Sequence, residues 1–134
     1  MNYINNKKII KRKSFKPLDW ICNNIFLNFK IYDDFTIVET KLFFSKNEIS
    51  TKDILVLNGN ELETLKFKII YFLDNKKISI LSLKPKYDDI IIKVPKNCTK
   101  LIVKSSVKLN PKTNTSLEGF YESNNMFCTQ CEPE

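Results

Sequence analysis

The chain has 134 residues, no histidine, four cysteines, and 22 Lys and Arg residues against 15 Asp and Glu, which gives a formal net charge of +7. A chain of this length forms one domain with one core. Because histidine is absent, the chain lacks the usual zinc ligand and the usual general base at neutral pH, which excludes Ser-His and Cys-His nucleophile pairs. The lysines are spread over nearly every segment, and Arg12 is the one arginine. We therefore expect a solvated basic surface and no nucleic-acid partner.

The N-terminus is polar and charged. Residues 1–14 show no apolar periodicity and predict a mobile basic leader before a domain that spans residues 15–134. No apolar stretch of about 7 to 15 residues is present there, as a signal peptide requires, and no apolar run reaches the roughly 18 residues of a membrane span. We expect a cytoplasmic protein without a membrane partner, whose cysteines stay reduced. The cysteines are Cys22, Cys98, Cys128 and Cys131.

Alternation of apolar and polar residues predicts antiparallel strands through most of the chain. Residues 24–31 indicate a strand with one buried face, Asp33–Asp34 a turn, and residues 36–44 a second strand of the same hairpin. Further strands are predicted at residues 54–57, 65–73, 78–83, 90–94 and 101–107. No segment keeps a helical spacing for more than about two turns. The sequence therefore predicts an all-β fold, an antiparallel β-sandwich or saddle of seven or eight strands.

The last 25 residues have a different character. From Asn110 onward the chain contains Pro111, Gly119 and Asn124–Asn125 with little alternation. This composition predicts an irregular segment that lies over the sheet, and long ordered loops of that kind tend to carry function.

Cys128 and Cys131 form a C-x-x-C pattern, the spacing of redox dithiols and of half a zinc site. No helix is predicted after the pair, and only the distant cysteines are available to complete a zinc site, so packing is the favoured interpretation. Paired carboxylates could serve acid–base catalysis, but pairs of this kind are common in a charged tail. The candidate carboxylates in this chain are Glu118, Glu122, Glu132 and Glu134.

A denser pattern lies in residues 114–134, N-T-S-L-E-G-F-Y-E-S-N-N-M-F-C-T-Q-C-E-P-E. It resembles a signature late in the N-terminal β domain of aminopeptidase N, the bacterial-type zinc alanyl aminopeptidase, which reads close to N-T-x-L-x-G-L-Y-x-S-x-x-x-x-C-T-Q-C-E-x-E-G-F-R. Looser similarity upstream includes residues 55–65, L-V-L-N-G-N-E-L-E-T-L. The resemblance covers roughly residues 15–134.

The resemblance implies roles for two residues. Glu132 matches the carboxylate that binds the free α-ammonium group of a peptide substrate, a charge-assisted hydrogen bond that is strong where water is excluded. Gln130 matches the position that lines the pocket for the first substrate residue, and its side-chain amide can hydrogen-bond the substrate backbone. Met126 and Phe127 are expected near the same pocket wall, as packing residues.

The resemblance also implies what this chain lacks. In the family, the zinc ligands and general base lie in an H-E-x-x-H motif on a following domain, and a G-x-M-E-N motif there supplies a second glutamate that binds the substrate amine. Neither motif occurs in this sequence. We therefore expect a β domain incomplete at its C-terminus. It would supply part of the amine-binding site, while the zinc of the full-length enzyme would be held elsewhere, for example by a separately encoded catalytic domain. The alternative is a stand-alone non-catalytic β-sandwich binding module, or an inactive relic.

Overall fold

The computed structural model describes residues 12–50, 52–59, 62–73, 75–83 and 89–131. These ranges contain nine strands, one short 3₁₀ turn at Arg12–Ser14 and no α-helix. The strands are β1 (Trp20–Ile31), β2 (Thr36–Lys46), β3 (Ile54–Leu57), β4 (Glu63–Leu73), β5 (Lys76–Leu83), β6 (Ile90–Lys93), β7 (Lys100–Leu109), β8 (Gly119–Ser123) and β9 (Met126–Gln130). The predicted all-β class with antiparallel sheets is confirmed. None of the helical structure in the described ranges is long and apolar enough to cross a membrane.

The largest unit is a five-stranded antiparallel sheet with the order β1-β2-β7-β4-β5. The β1–β2 and β4–β5 hairpins lie on either side of β7, which pairs with β2 from Thr36↔Leu109 to Ser45↔Lys100 and also pairs with β4. Two smaller antiparallel units accompany it, a ribbon of β3 with β6 and a hairpin of β8 with β9. The predicted hairpin over residues 24–45 is thus present as β1 and β2.

The core lies between the β3–β6 ribbon and one face of the five-stranded sheet, which we call the core face. Strand register places Leu42, Val103 and Ile69 side by side on this face. The ribbon contributes Leu55 and Ile92, which belong to the same buried cluster. This alternation of buried and exposed residues explains why the period-2 pattern located the central strands correctly.

Strand β1 departs from the prediction of one buried face. Its apolar row consists of Ile25, Leu27, Phe29 and Ile31. The register places this row on the core face, but its side chains are 40–60% exposed. In β1 only Trp20, at the start of the strand, is buried. The prediction was wrong because β1 is an edge strand, and the buried cluster formed with the ribbon draws its side chains mainly from the inner strands β2, β7 and β4.

The C-terminal segment also differs from the irregular structure predicted for it. Gly119–Ser123 and Met126–Gln130 form an antiparallel hairpin. Of the predicted leader at residues 1–14, the structure describes only Arg12–Ser14. Glu132 and Glu134 lie outside the described residues.

Candidate substrate-binding segment

The hairpin that carries the aminopeptidase-like motif turns at two asparagines. Asn124 and Asn125 have φ angles of 50° and 60°, between the facing residues Ser123 and Met126. Two successive residues with positive φ make the tight turn whose twist matches a β-hairpin, and asparagine tolerates this conformation better than other residues with a side chain. The paired asparagines therefore close the hairpin.

The loop before the hairpin is fixed by the side chain of Asn114. Its amide nitrogen donates hydrogen bonds to the carbonyls of Glu118 at 2.7 Å and Phe120 at 3.1 Å. Its amide oxygen accepts from the backbone N–H of Ser116 at 3.2 Å and from the Ser116 hydroxyl at 2.7 Å. One side chain thus holds both ends of the loop. This role was not predicted from the sequence, although asparagine is a common turn residue because its side chain can bond the backbone two residues further on.

Aromatic packing attaches one face of the hairpin to the sheet. The Phe120 ring stacks on Phe127 with centroids 5.4 Å apart, and it meets the Phe29 ring of β1 at the same centroid distance. A backbone hydrogen bond of 3.0 Å from the Glu122 N–H to the Pro111 carbonyl adds a second attachment. The orientation of the hairpin on the edge of the sheet is therefore set by apolar contact and by its own backbone.

Gln130 is the last residue of β9 and lies opposite Gly119. Register places it on the hairpin face shared with Tyr121 and Cys128, away from the Phe120–Phe127 stack, and it is exposed. Gln130 therefore lies on the face of the hairpin that does not contact β1. The second predicted site residue, Glu132, follows two positions later and lies outside the described residues.

Met126 and Phe127 are adjacent in β9 and therefore point to opposite faces of the hairpin. Phe127 packs on Phe120, as expected of a packing residue, whereas Met126 is 62% exposed. A cleft of about 650 Å³ lies at the base of the hairpin and the loop before it. Its lining includes Asn110, Thr113, Asn114, Glu118, Gly119 and Phe120. Because Gly119 pairs with Gln130, this cleft borders the residue pair that ends the hairpin.

The cysteines of the motif do not form a metal centre in the described part of the chain. Cys128 and Cys131 are both free thiols, and no group of three or more potential metal-ligating side chains occurs among the described residues. The whole sequence contains no histidine. A catalytic zinc needs three protein ligands, usually with histidine among them, so this donor set does not fit zinc.

Burial raises the pKa of the Cys98 thiol, which keeps that cysteine protonated inside the core.

Comparison with known proteins identifies the relationship. No protein-family model matches the chain. Aminopeptidase N of Haemophilus influenzae is 31% identical over 130 residues, a match that covers 92% of this chain. The chain is related to aminopeptidase N. The resemblance found in the motif is therefore confirmed, and the chain spans 14% of the length of that relative.

A solved structure shows the same fold. The crystal structure of Legionella pneumophila aminopeptidase A in complex with aspartic acid is similar to this chain, with a TM-score of 0.62 and 23% sequence identity. The similar region covers 84% of this chain and 13% of the Legionella chain. The antiparallel arrangement described above is thus one that an aminopeptidase structure also contains.

Proposed function

We propose that the chain is an N-terminal portion of a zinc metalloaminopeptidase that removes N-terminal amino acids from peptides. The observation that carries the proposal is the match to aminopeptidase N over 92% of the chain. Within this proposal the chain supplies part of the substrate site and no part of the zinc site. The substrate is a peptide with a free N-terminus.

Gln130 and Glu132 are the proposed substrate-binding residues. The Glu132 carboxylate would accept hydrogen bonds from the α-ammonium group, and an ionised pair of this kind is roughly twice as strong as a neutral hydrogen bond. The Gln130 amide would bond the backbone of the first substrate residue. The exposed position of Gln130, on the hairpin face away from the Phe120–Phe127 stack, supports this role.

The zinc in this proposal is bound by residues outside the present sequence, on a catalytic domain that is either covalently continuous or separately encoded. The donor set of this chain does not fit the metal, so no hydrolytic step is assigned to its residues. We expect the chain alone to have no aminopeptidase activity, with or without added zinc.

The test is a chimera in which this chain replaces the matching segment of Haemophilus influenzae aminopeptidase N. Hydrolysis of alanine p-nitroanilide is measured for the chimera and for its Glu132→Gln and Gln130→Ala variants. Losing a hydrogen bond to a charged group costs about 1.5 to 3 kcal/mol. For Glu132→Gln we therefore expect a fall in kcat/KM of about 10- to 150-fold.

Glu48→Gln is the matched control, because Glu48 is an exposed carboxylate that lies outside the C-terminal segment and its cleft. It should leave kcat/KM within about twofold of the parent chimera, the range expected for a surface substitution. An active chimera whose kinetics are unchanged by Glu132→Gln would refute the assigned role. A folded chimera without activity would favour the non-catalytic binding module.

The proposed location is the cytoplasm. The exposed thiols of Cys22 and Cys131 support it, because exposed thiols persist in reducing compartments. Fractionation of cells that express the tagged chain tests it, and recovery in a secreted or membrane fraction would contradict it.

A further inference from the structure

The face of the five-stranded sheet opposite the core face, here called the outer face, is strongly basic. Its strand residues include eight lysines and two glutamates, a net charge of +6. The lysines are Lys30, Lys41, Lys66, Lys68, Lys77, Lys100, Lys104 and Lys108, and the glutamates are Glu39 and Glu63. Strand register thus places eight of the chain's 21 lysines on one surface, although they are far apart in the sequence. Dispersal along the sequence therefore does not by itself exclude a basic face in the folded chain.

Three of these lysines lie directly opposite one another. Lys104 of β7 faces Lys41 of β2 on one side and Lys68 of β4 on the other. Cβ atoms of directly opposed residues are about 4.5 to 5.5 Å apart, and like charges at such positions destabilise a sheet. An anion bound along the row would remove this repulsion.

The carboxylates of the same face are engaged with other lysines. Glu39 bonds Lys30 at 2.7 Å, and Glu63 lies 4.0 Å from Lys108. The Lys30 ammonium and the Asn28 amide lower the pKa of Glu39, which keeps it ionised in that pair. In the described part of the chain, no ion pair involves a member of the three-lysine row.

An apolar row runs beside the lysine row. Phe43, Ile102, Ile70 and Ile80 face one another across four strands. The Phe26 ring, which is 61% exposed, meets the Phe43 ring edge-on at 5.7 Å. The Lys41 ammonium lies 4.7 Å from the Phe43 ring centre. Charged and aromatic groups therefore lie within reach of a single ligand.

Two grooves follow these rows. One of about 630 Å³ has Lys66, Lys68 and Lys104 in its lining, together with Glu39, whose carboxylate is paired with Lys30. Another of about 460 Å³ is lined in part by Phe43, Phe72 and Lys100. The outer face thus offers concave positions for both a phosphate backbone and an apolar ring.

We propose that the outer face binds single-stranded nucleic acid, with phosphates along the Lys41–Lys104–Lys68 row and bases against Phe26 and Phe43. Proteins that bind single strands without sequence preference combine a positive groove with aromatic rings on which bases stack. The use of lysine in place of arginine fits this mode, because bidentate reading of base edges is characteristic of arginine. The proposal is independent of the aminopeptidase function and needs no residue of the C-terminal hairpin.

The experiment is fluorescence anisotropy with the full chain and labelled twelve-nucleotide oligo(dT) and oligo(U), from 50 to 300 mM salt. Three phosphate contacts predict a slope of log K against log salt of about −2, since single strands give about −0.7 per contact. Lys104→Glu should weaken binding by about tenfold or more and make the slope shallower. Phe26→Ala should weaken binding about fivefold or more, as expected for the loss of one stacked base. Equal binding of the two oligonucleotides is expected, because phosphates and pyrimidine rings are common to both, and stronger binding of oligo(U) would assign a role to the ribose hydroxyl.

Lys93→Glu is the matched control. Lys93 is an exposed lysine on the β3–β6 ribbon, which covers the opposite side of the sheet, and the substitution makes the same change in net charge. It should change affinity less than threefold, and circular dichroism checks that each variant is folded. The proposal is overturned if Lys93→Glu weakens binding as much as Lys104→Glu does. It is also overturned if Phe26→Ala has no effect, or if polyglutamate competes as well as the oligonucleotides, because the surface would then attract any anion.

Discussion

The ribbon of β3 and β6 gives the sharpest test of how this fold is held together. Each of its strands has four residues, and an isolated two-stranded ribbon of that size is marginally stable at best in water. Packing of its inward side chains on the sheet must therefore supply its stability. Ile92 is 1% exposed, whereas its neighbour Ile91 is 65% exposed. The two isoleucines thus form an internal pair with the same chemistry and opposite burial.

For Ile92→Ala we expect a loss of about 3 kcal/mol in the free energy of unfolding. Three buried carbons contribute about 0.8 kcal/mol each by transfer, and a residual cavity adds to that loss. Ile91→Ala should cost less than about 1 kcal/mol, because its side chain stays largely in water in the folded state. Both values are measured by urea unfolding followed by circular dichroism.

Hydrogen exchange provides a second measurement on the same pair. Amides of residues 54–57 should exchange faster in Ile92→Ala than in Ile91→Ala, because the ribbon opens locally before the sheet does. If the two variants lost the same stability, or if Ile92→Ala lost under 1 kcal/mol, packing of the ribbon on the sheet would not be the source of its order.

Four further outcomes are expected. Asn114→Ala should cost about 1 to 2 kcal/mol of unfolding free energy, since it leaves two loop carbonyls without their donor. Iodoacetamide should modify the exposed Cys22 in the native protein and the buried Cys98 only after unfolding, as mass spectrometry will show. Burial raises the pKa of Cys98 and Tyr71, so the folded state holds their protons more tightly, and stability measured by urea should fall as the pH rises above the ordinary cysteine value of 9.0. Tyr71→Phe should be neutral or stabilising by up to about 1 kcal/mol, because the buried Tyr71 hydroxyl has no hydrogen-bond partner among the described residues.

The sequence was sufficient to locate the strands of the main sheet, for a physical reason. Residues 36–44 and 101–107 alternate because β2 and β7 have one face in the core and one in solvent. The same rule misled the assignment of β1, whose alternation is equally regular although its apolar row is half exposed. Periodicity reports which side chains share a face, but coverage of that face depends on neighbours that are distant in sequence.

The C-terminal hairpin was missed because its signals are local and weak. β8 and β9 have five residues each, and their alternation is interrupted by small and polar side chains. Asn124–Asn125 indicated irregular structure, although two asparagines with positive φ are also what a tight hairpin turn requires. The motif-based resemblance nevertheless identified the correct relationship, since it depends on residue identity and does not require the secondary structure.

The assembly of lysines on the outer face was beyond the reach of the sequence. Lys41, Lys68 and Lys104 are separated by 27 and 36 positions, and only the register of β2, β7 and β4 makes them neighbours. A register shift of one residue would move each side chain to the opposite face.

The central place of β7 has a consequence for synthesis on the ribosome. β2 and β4 both complete their pairing with a strand that is translated after all the other strands of the sheet. Until residues 100–109 leave the exit tunnel, the two earlier hairpins each expose an open strand edge, the kind of surface that pairs with other chains. Nascent chains arrested before that point should therefore be the species that chaperones bind and that aggregates recruit.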